Sequence, residues 1–201
     1  AVIGEGMRAI GDTGGHRLVS VFSPKGGVGT TCVATNLAVI AAEARPNQVL
    51  LIDLDLSFGQ VASHLNLQPK QTLLELIRDE AALRETDLFR TYTIHHPSGL
   101  NILAAPPSPT FSSLVTAEHV EAILARAMDA FEIVVLDAGT ALDNRLQTIF
   151  SLSETVVVPV LPEIPALNAV HVLLDQLSDA GALGGRTVFV LNNAFARDLL
   201  K

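Results

Sequence analysis

The residues from Ser23 to Thr31 read Ser-Pro-Lys-Gly-Gly-Val-Gly-Thr-Thr and could bind a phosphate group. A short β-branched run precedes them and an alanine-rich stretch follows, so they are expected to link a strand to a helix. Gly26, Gly27 and Gly29 allow a tight bend that turns several backbone N–H groups toward one anion. The positive end of the following helix adds to this attraction. The alternative is a glycine-rich turn without a ligand.

Side chains in the same segment could serve the phosphates and a metal ion. Thr31 stands where the Ser or Thr of a P-loop holds Mg²⁺. Two positions depart from the ordinary P-loop pattern, because Pro24 replaces the first glycine and Thr30 replaces the lysine. Lys25 is one of only three lysines in the chain. The residues expected to cradle the phosphates are Gly26, Gly27, Val28, Gly29, Thr30 and Thr31.

Carboxylates follow two other apolar runs of the sequence. Asp53 and Asp55 are two residues apart on an extended segment, so their side chains point the same way. Near Mg²⁺ and ATP, such a carboxylate can orient the attacking water or hold metal-bound water. Asp137 ends the run Glu-Ile-Val-Val-Leu, where a carboxylate can hold Mg²⁺ through water and accept a hydrogen bond from Thr31. The alternative for Asp53 and Asp55 is a cap on the following turn.

A fourth group of polar residues follows the last two apolar runs. Asn192 comes directly after the final run, and a buried Asn amide can pair with the donor and acceptor edge of adenine. A simple turn is the alternative for Asn192. The residues Pro-Glu-Ile-Pro at 162–165 are a further candidate for lining the pocket of the base.

The elements that must position these residues are predicted from six apolar runs separated by helical segments. The runs lack polar alternation, as is typical of a parallel sheet covered on both faces by helices. Such sheets bind ligands at the carboxyl ends of their strands. Strands are expected at 17–23, 48–53, 100–104, 132–136, 155–160 and 187–191. Helices are expected at 30–44, 72–80, 86–93, 116–130, 141–150 and 166–180, with Thr116 as an N-cap that lacks a full capping box.

The composition excludes several other classes of protein. The chain has 201 residues, of which 49% are hydrophobic and 17% charged, so a disordered chain or a charge-rich coiled coil is excluded. Cys32 is the only cysteine, which excludes an intramolecular disulfide framework and a cysteine-based zinc site. We expect Cys32 to be buried in packing. The net charge of −8 disfavours DNA binding over the whole surface.

The segment Lys25-Gly-Gly-Val-Gly-Thr-Thr resembles the deviant Walker A motif of the MinD/ParA class of P-loop ATPases. The resemblance extends over about residues 18–193. With the preceding Ser-Pro, the segment is most similar to the CpaE/TadZ branch, which serves Flp/Tad pilus assembly. The resemblance implies a three-layer P-loop NTPase fold, ATP and Mg²⁺ as cofactors, and a homodimer with ATP at its interface.

The resemblance also implies a role for each candidate residue. The lysine matching Lys25 reaches across the dimer to the partner's phosphates. Asp55 matches the water-orienting aspartate of switch I. Asp137 begins switch II and holds Mg²⁺ together with Thr31, with Asp53 as a further metal candidate. Asn192 matches an adenine-binding asparagine. The prolines usual in switch II are replaced here by residues 139–143, Gly-Thr-Ala-Leu-Asp.

The function implied is a slow ATPase whose nucleotide state switches localisation or assembly, in Flp/Tad-type pilus assembly or secretion. A non-hydrolysing ATP-binding scaffold is one alternative, because Thr30 removes a positive charge at the phosphates. ParA-like DNA partitioning is another alternative, although the net negative charge of the chain disfavours DNA as a partner. We expect a cytoplasmic protein, at a cell pole or on the inner face of the membrane, with only indirect or peripheral membrane association.

The domain organisation is expected to have two parts. Residues 1–16 contain five glycines and no periodicity, which favours a linker. The resemblance implies a receiver-like domain before this linker. Residues 17–201 are expected to form the ATPase domain, shortened at its C-terminal end.

Overall fold

The computed structural model describes residues 17–179 and 186–192, which build a seven-stranded sheet between two layers of helices. The strands are β1 (Arg17–Val21), β2 (Val49–Asp53), β3 (Ile94–His95), β4 (Leu100–Leu103), β5 (Ile133–Asp137), β6 (Thr155–Val160) and β7 (Arg186–Leu191). Their order across the sheet is β3-β4-β2-β5-β1-β6-β7. Every pair of neighbours is parallel except β3 and β4. The predicted α/β fold with a mostly parallel sheet is confirmed.

The helices of the described residues range from one turn to more than four. They are α1 (Thr30–Ala44), α2 (Val61–His64), α3 (Leu73–Leu76), α4 (Thr86–Arg90), α5 (Ala117–Ala130), α6 (Asn144–Leu152) and α7 (Ile164–Asp179), with a 3₁₀ helix at Pro109–Leu114. Among the helices of residues 17–179, none is both long and apolar enough to cross a membrane. The sequence did not predict β3, α2 or the 3₁₀ helix, whose few residues do not form part of a longer apolar or helical pattern.

Each face of the sheet buries its own hydrophobic cluster. Leu18 and Phe22 of the first strand region point to one face, where α5, α6 and α7 cover them. Val19 and Val21 point to the opposite face, against α1. The buried stripe of α1 consists mostly of small side chains, which let the helix axis approach the sheet closely: Ala34, Ala38, Ala41 and Ala42. The central strands β1, β2 and β5 are therefore enclosed on both sides, which leaves their carboxyl ends for ligands, while β7 at the edge is largely exposed.

The parallel register brings the candidate residues to one edge. Val21 of β1 and Asp53 of β2 both lie opposite Asp137 of β5, so the three strands end at the same level. The chain continues this pairing past the strands. The amide of Ala138 donates to the Val21 carbonyl oxygen at 2.9 Å, and the amide of Leu54 donates to the Asp137 carbonyl oxygen at 2.8 Å. The loops that follow the three strands therefore begin side by side.

Two local predictions were wrong. Thr116 does form a full capping box, because the His119 ring takes the place of the usual Glu or Gln. The Thr116 amide donates to His119 Nδ1 at 3.2 Å, while the His119 amide donates to Thr116 Oγ1 at 3.3 Å. Cys32 is exposed, not buried. It lies in the first turn of α1, off the alanine stripe that contacts the sheet.

The packing predicts which aromatic residue the fold depends on. Phe150 is 1% exposed and meets the Phe22 ring edge to face, with centroids 5.4 Å apart. Phe150→Ala should lower the free energy of unfolding by about 3–5 kcal/mol, since it leaves a cavity in the core. Leu152, on the same helix and 37% exposed, is the matched control. Leu152→Ala should cost under about 1 kcal/mol in the same urea denaturation experiment. Equal losses would contradict this description of the core.

Candidate functional site

The glycine-rich loop joins β1 to α1 in a conformation that needs glycine at two positions. Gly27 and Gly29 have φ angles of 78° and 92°, a region that other residues rarely adopt. Gly29 occupies the N-cap position of α1, and its carbonyl oxygen accepts from the Val33 amide at 2.9 Å. Val28 is buried, whereas Gly26 and Gly27 are exposed. Val28 thus anchors the loop, whose glycine backbone is open beside the positive end of a helix.

Asn192 lies against this loop. It follows β7, and its amide N–H donates to the Val160 carbonyl oxygen at 2.8 Å. Its side-chain Nδ2 donates to the Val28 carbonyl oxygen, also at 2.8 Å. A Cβ atom at position 29 would lie only 2.6 Å from this Nδ2, so Gly29 is required by contact as well as by backbone angle. Asn192 thus supports the loop with Nδ2, while its adenine-binding role stays a prediction.

Asp137 is a buried carboxylate with one oxygen free of partners. Its exposure is 0%, and Oδ1 accepts from the Gly139 amide at 3.3 Å. Oδ2 is buried and accepts no hydrogen bond within the part of the chain that the structure describes. The pKa of Asp137 is raised, first by burial and in smaller part by the nearby charge of Asp55. Hydrogen bonding to Thr31 and Gly139 offsets part of this rise. An unsatisfied buried oxygen beside a threonine hydroxyl fits a hydrated cation.

Asp53 lies opposite Asp137 and uses both of its oxygens. Oδ1 accepts from the Asp55 amide at 3.2 Å, and Oδ2 accepts from the Val61 amide at 3.0 Å. The pKa of Asp53 is raised to about 8, first by burial and second by the charge of Asp137. The predicted metal-binding role of Asp53 is untested, but its side chain is already occupied by the backbone of the following loop.

Asp55 connects the loop after β2 with the loop after β5. Its Oδ1 accepts from the amides of Ser57 and Phe58 at 3.2 and 3.1 Å. The side chain also lies against Gly139, where a Cβ atom would come within 2.9 Å of Asp55 Cβ. Gly139 has a φ of 61°. The two loops therefore touch at Asp55, and Gly139 leaves the room for that contact.

Lys25 forms an ion pair with Glu163, not with any of the three aspartates. Its Nζ forms an ion pair with Glu163 Oε1, at the start of α7 and just after β6. The side chains are 35% and 28% exposed, so water screens the pair. The sequence analysis placed residues 162–165 near the base and missed this contact. The sequence signals only that Glu163 follows an apolar run, as the other candidate residues do, whereas the position of that strand beside β1 is seen in the structure.

The family follows from comparison of the sequence with known proteins. The sequence profile of a family described as an AAA domain matches residues 16–182. The chromosome-partitioning ATPase Soj of Thermus thermophilus is 30% identical over 167 residues. The chain belongs to the MinD/ParA family of P-loop ATPases. The match to the family profile covers the glycine-rich loop, Asp53, Asp55 and Asp137, and it ends before Asn192.

Other relatives agree with this assignment. The antiactivator FleN of Pseudomonas aeruginosa is 27% identical over 175 residues, covering 86% of this chain and 60% of FleN. The match to Soj covers 83% of this chain and 63% of Soj. The MinD/ParA-type chain described here therefore spans less than two thirds of the length of either relative.

Solved structures share the fold. A ParA family ATPase from Chlorobium tepidum superposes with a TM-score of 0.82 at 22% identity, over 93% of this chain and 77% of that one. MinD from Pyrococcus horikoshii, solved in complex with Mg-ADP, superposes with a TM-score of 0.73 at 21% identity, over 91% and 73% of the two chains. The arrangement of strands and helices is thus that of MinD/ParA proteins.

The raised pKa of Asp53 predicts a pH-dependent stability. This carboxyl group titrates near 3.8 ordinarily and near 8 in the folded protein. Between these values the unfolded chain releases a proton that the folded chain keeps. The free energy of unfolding of the nucleotide-free protein should therefore fall as pH rises, by up to about 1.4 kcal/mol per pH unit.

Asp53→Asn removes this titration and provides the comparison. We expect the unfolding free energy of the wild type, relative to that of the variant, to decrease steadily in urea denaturation between pH 5 and pH 8. A difference that stays constant over this range would show that Asp53 ionises at the same pH in both states.

Proposed function

We propose that this chain binds Mg²⁺ and ATP between two copies of itself, hydrolyses the ATP slowly, and uses the nucleotide state to switch localisation or assembly. The observation that carries the proposal is the buried Asp137 Oδ2, which accepts no hydrogen bond from the described residues and lies at the same sheet edge as the glycine-rich loop. A buried carboxylate oxygen without a donor is costly unless a ligand satisfies it. The aligned strand ends also bring Asp53 and the loop that carries Asp55 to this edge.

The glycine-rich loop is the proposed phosphate site. Its exposed backbone at Gly26 and Gly27 can donate N–H groups, and α1 begins directly after Gly29. Val28, Thr30 and Thr31 complete the loop, with Thr30 itself buried. Asn192, through Nδ2, holds the Val28 carbonyl and so supports this shape. We propose that its remaining oxygen accepts a hydrogen bond from the adenine.

Thr31 and Asp137 are the proposed Mg²⁺ residues. The Thr31 hydroxyl lies close enough to Asp137 to offset part of the rise in pKa that burial causes in that carboxyl group. Mg²⁺ is usually held by one or two protein oxygens together with phosphate oxygens and water, and this site offers a matching pair. The ion, when bound, neutralises negative charge on the phosphates. Asp137 thereby gains the partner that its second oxygen lacks.

Asp55 is the proposed water-orienting residue. It is half-buried on the loop beside Asp137, and its Oδ1 already takes two backbone amides, which leaves Oδ2 to accept from a water. Thr30 stands where other P-loops have a lysine, so one positive charge near the transferred phosphoryl group is missing. A slow reaction is the expected consequence.

Lys25 is proposed to supply positive charge in the dimer by reaching the partner's phosphates. In the single chain it is held by Glu163. A screened ion pair of this kind contributes roughly 1 kcal/mol or less, so exchanging it for a phosphate is easy. The nucleotide site is then completed only when two copies meet.

The biological setting proposed is Flp/Tad-type pilus assembly or secretion, as in the CpaE/TadZ branch. It is supported by the Ser-Pro that precedes Lys25 in the phosphate loop. The proposed localisation is the cytoplasm, at a cell pole or on the inner face of the membrane. DNA partitioning is the second candidate, supported by the 30% identity to Soj. The net charge of −8 weighs against it, and DNA binding by the full-length protein over a range of salt concentrations tests it.

Removal of the Asp55 carboxylate tests the hydrolytic mechanism. Asp55→Ala should lower ATP turnover by at least about 10-fold and leave the Kd for Mg·ATP within about 3-fold of the wild-type value, because the proposed role concerns the attacking water. Asp87→Ala, at an exposed position of α4, is the control and should change neither quantity. Unchanged turnover in Asp55→Ala would remove this residue from the mechanism.

Restoring the missing lysine separates a slow ATPase from a scaffold. Thr30→Lys should raise turnover by about 10-fold or more, since it places a positive charge at the phosphates. Thermal shift with Mg·ATP reports whether the variant is folded and binds nucleotide. If wild type and variant both bind ATP and neither releases phosphate, the chain is a non-hydrolysing scaffold.

A further inference from the structure

A single buried side chain closes the loop that carries Asp55. This loop, residues 54–60, leads from β2 to α2. Asp53, at its start, is 2% exposed. One of its oxygens accepts from the Asp55 amide at 3.2 Å, and the other accepts from the Val61 amide at 3.0 Å. The carboxyl group therefore fixes the loop at its second residue and at Val61, directly after its end.

The loop also fits tightly around this carboxyl group. A Cβ atom at Gly59 would lie 2.7 Å from Asp53 Oδ2 and 2.4 Å from the Cβ of Ala105. Val61, whose amide is bound, is itself fully buried and anchors the end of the loop. Phe58, in the middle, is 76% exposed and contributes no such anchor. Asp53 thus holds the two ends of the loop from inside, whereas the exposed turn between them is held by Asp55 Oδ1 through the amides of Ser57 and Phe58.

We infer that Asp53 is a positioning residue that sets the place of Asp55 and does not itself contact the nucleotide. The bond to the Asp55 amide fixes the backbone from which that side chain extends toward Gly139. A catalytic group displaced by about 1 Å can lose about 100-fold in rate, so the constraint matters for the reaction. This inference rests on the proposed role of Asp55 in orienting water.

Metal binding is the competing role for Asp53, and kinetics separate the two. A positioning residue affects kcat and leaves the affinity for Mg·ATP and the Mg²⁺ requirement unchanged. A metal ligand changes the Mg²⁺ requirement, and its loss is offset by excess Mg²⁺. Asp53→Asn keeps the size of the side chain and one acceptor oxygen. Its NH₂ group cannot accept a hydrogen bond, so one of the two amides, that of Asp55 or that of Val61, loses its acceptor.

Two variants and a matched control make the experiment decisive. Gly59→Ala leaves every chemical group of the site in place and displaces the loop, because its Cβ would collide with Ala105 Cβ and with Asp53 Oδ2. The control is Asp79→Asn, because Asp79 also accepts from two backbone amides, those of Ala81 and Ala82, on an exposed turn outside the site. Hydrogen exchange of the Asp55 and Val61 amides gives a readout that does not depend on activity.

We expect Asp53→Asn and Gly59→Ala to lower kcat by about 10-fold or more, with KM for ATP and the Mg²⁺ midpoint within about 2-fold of wild type. Exchange at the two amides should quicken by about 10-fold or more in both variants, and the control should change none of these values. A raised Mg²⁺ midpoint with kcat restored at high Mg²⁺, or unchanged kcat in both variants, would overturn the inference.

The failure of this inference is distinguishable from the failure of the proposed function. If Asp55→Ala abolishes turnover while the Asp53 and Gly59 variants keep it, only the positioning role is wrong. If the wild type does not hydrolyse ATP, the hydrogen exchange result still decides whether Asp53 holds the loop, and unchanged exchange overturns it.

Discussion

The site depends on the parallel pairing of β5 with β1 on one side and with β2 on the other. This register sets Val21, Asp53 and Asp137 at one level, so that three loops leave the sheet together. Backbone hydrogen bonds past the strand ends keep the loops adjacent. A shift by one residue would turn Asp137 to the opposite face and separate it from the glycine-rich loop. The two buried clusters, one on each face, oppose such a shift.

The same register places negatively charged groups close to one another. It gathers three carboxyl groups, those of Asp53, Asp55 and Asp137, in a largely buried place. Burial and mutual repulsion raise the pKa of Asp53 and of Asp137. A triphosphate beside them needs positive charge from elsewhere. The loop amides, the end of α1 and a divalent cation can supply it within one chain, in which Lys25 is paired with Glu163.

Sequence patterns were sufficient where a physical rule acts locally. Continuous apolar runs predicted six of the seven strands, and helix α1 was predicted with the bounds observed, Thr30–Ala44. Gly27 and Gly29 were predicted to bend the loop, and both have positive φ angles. Patterns were insufficient where a contact joins distant segments. Glu163 beside Lys25 and Asn192 beside Val28 depend on the order of strands in the sheet, which no local period encodes.

The central claim is that each nucleotide site is completed by the lysine of a second copy. Mixing Lys25→Ala with Asp55→Ala tests it directly, because each variant alone lacks one group at every site. A mixed dimer has one complete site, in which the Lys25→Ala protomer keeps Asp55 and receives the lysine of its partner. After mixing equal amounts, ATP turnover should recover to about one quarter of the wild-type value, since about half of randomly formed dimers are mixed. No recovery, with both variants still binding ATP, would contradict the account.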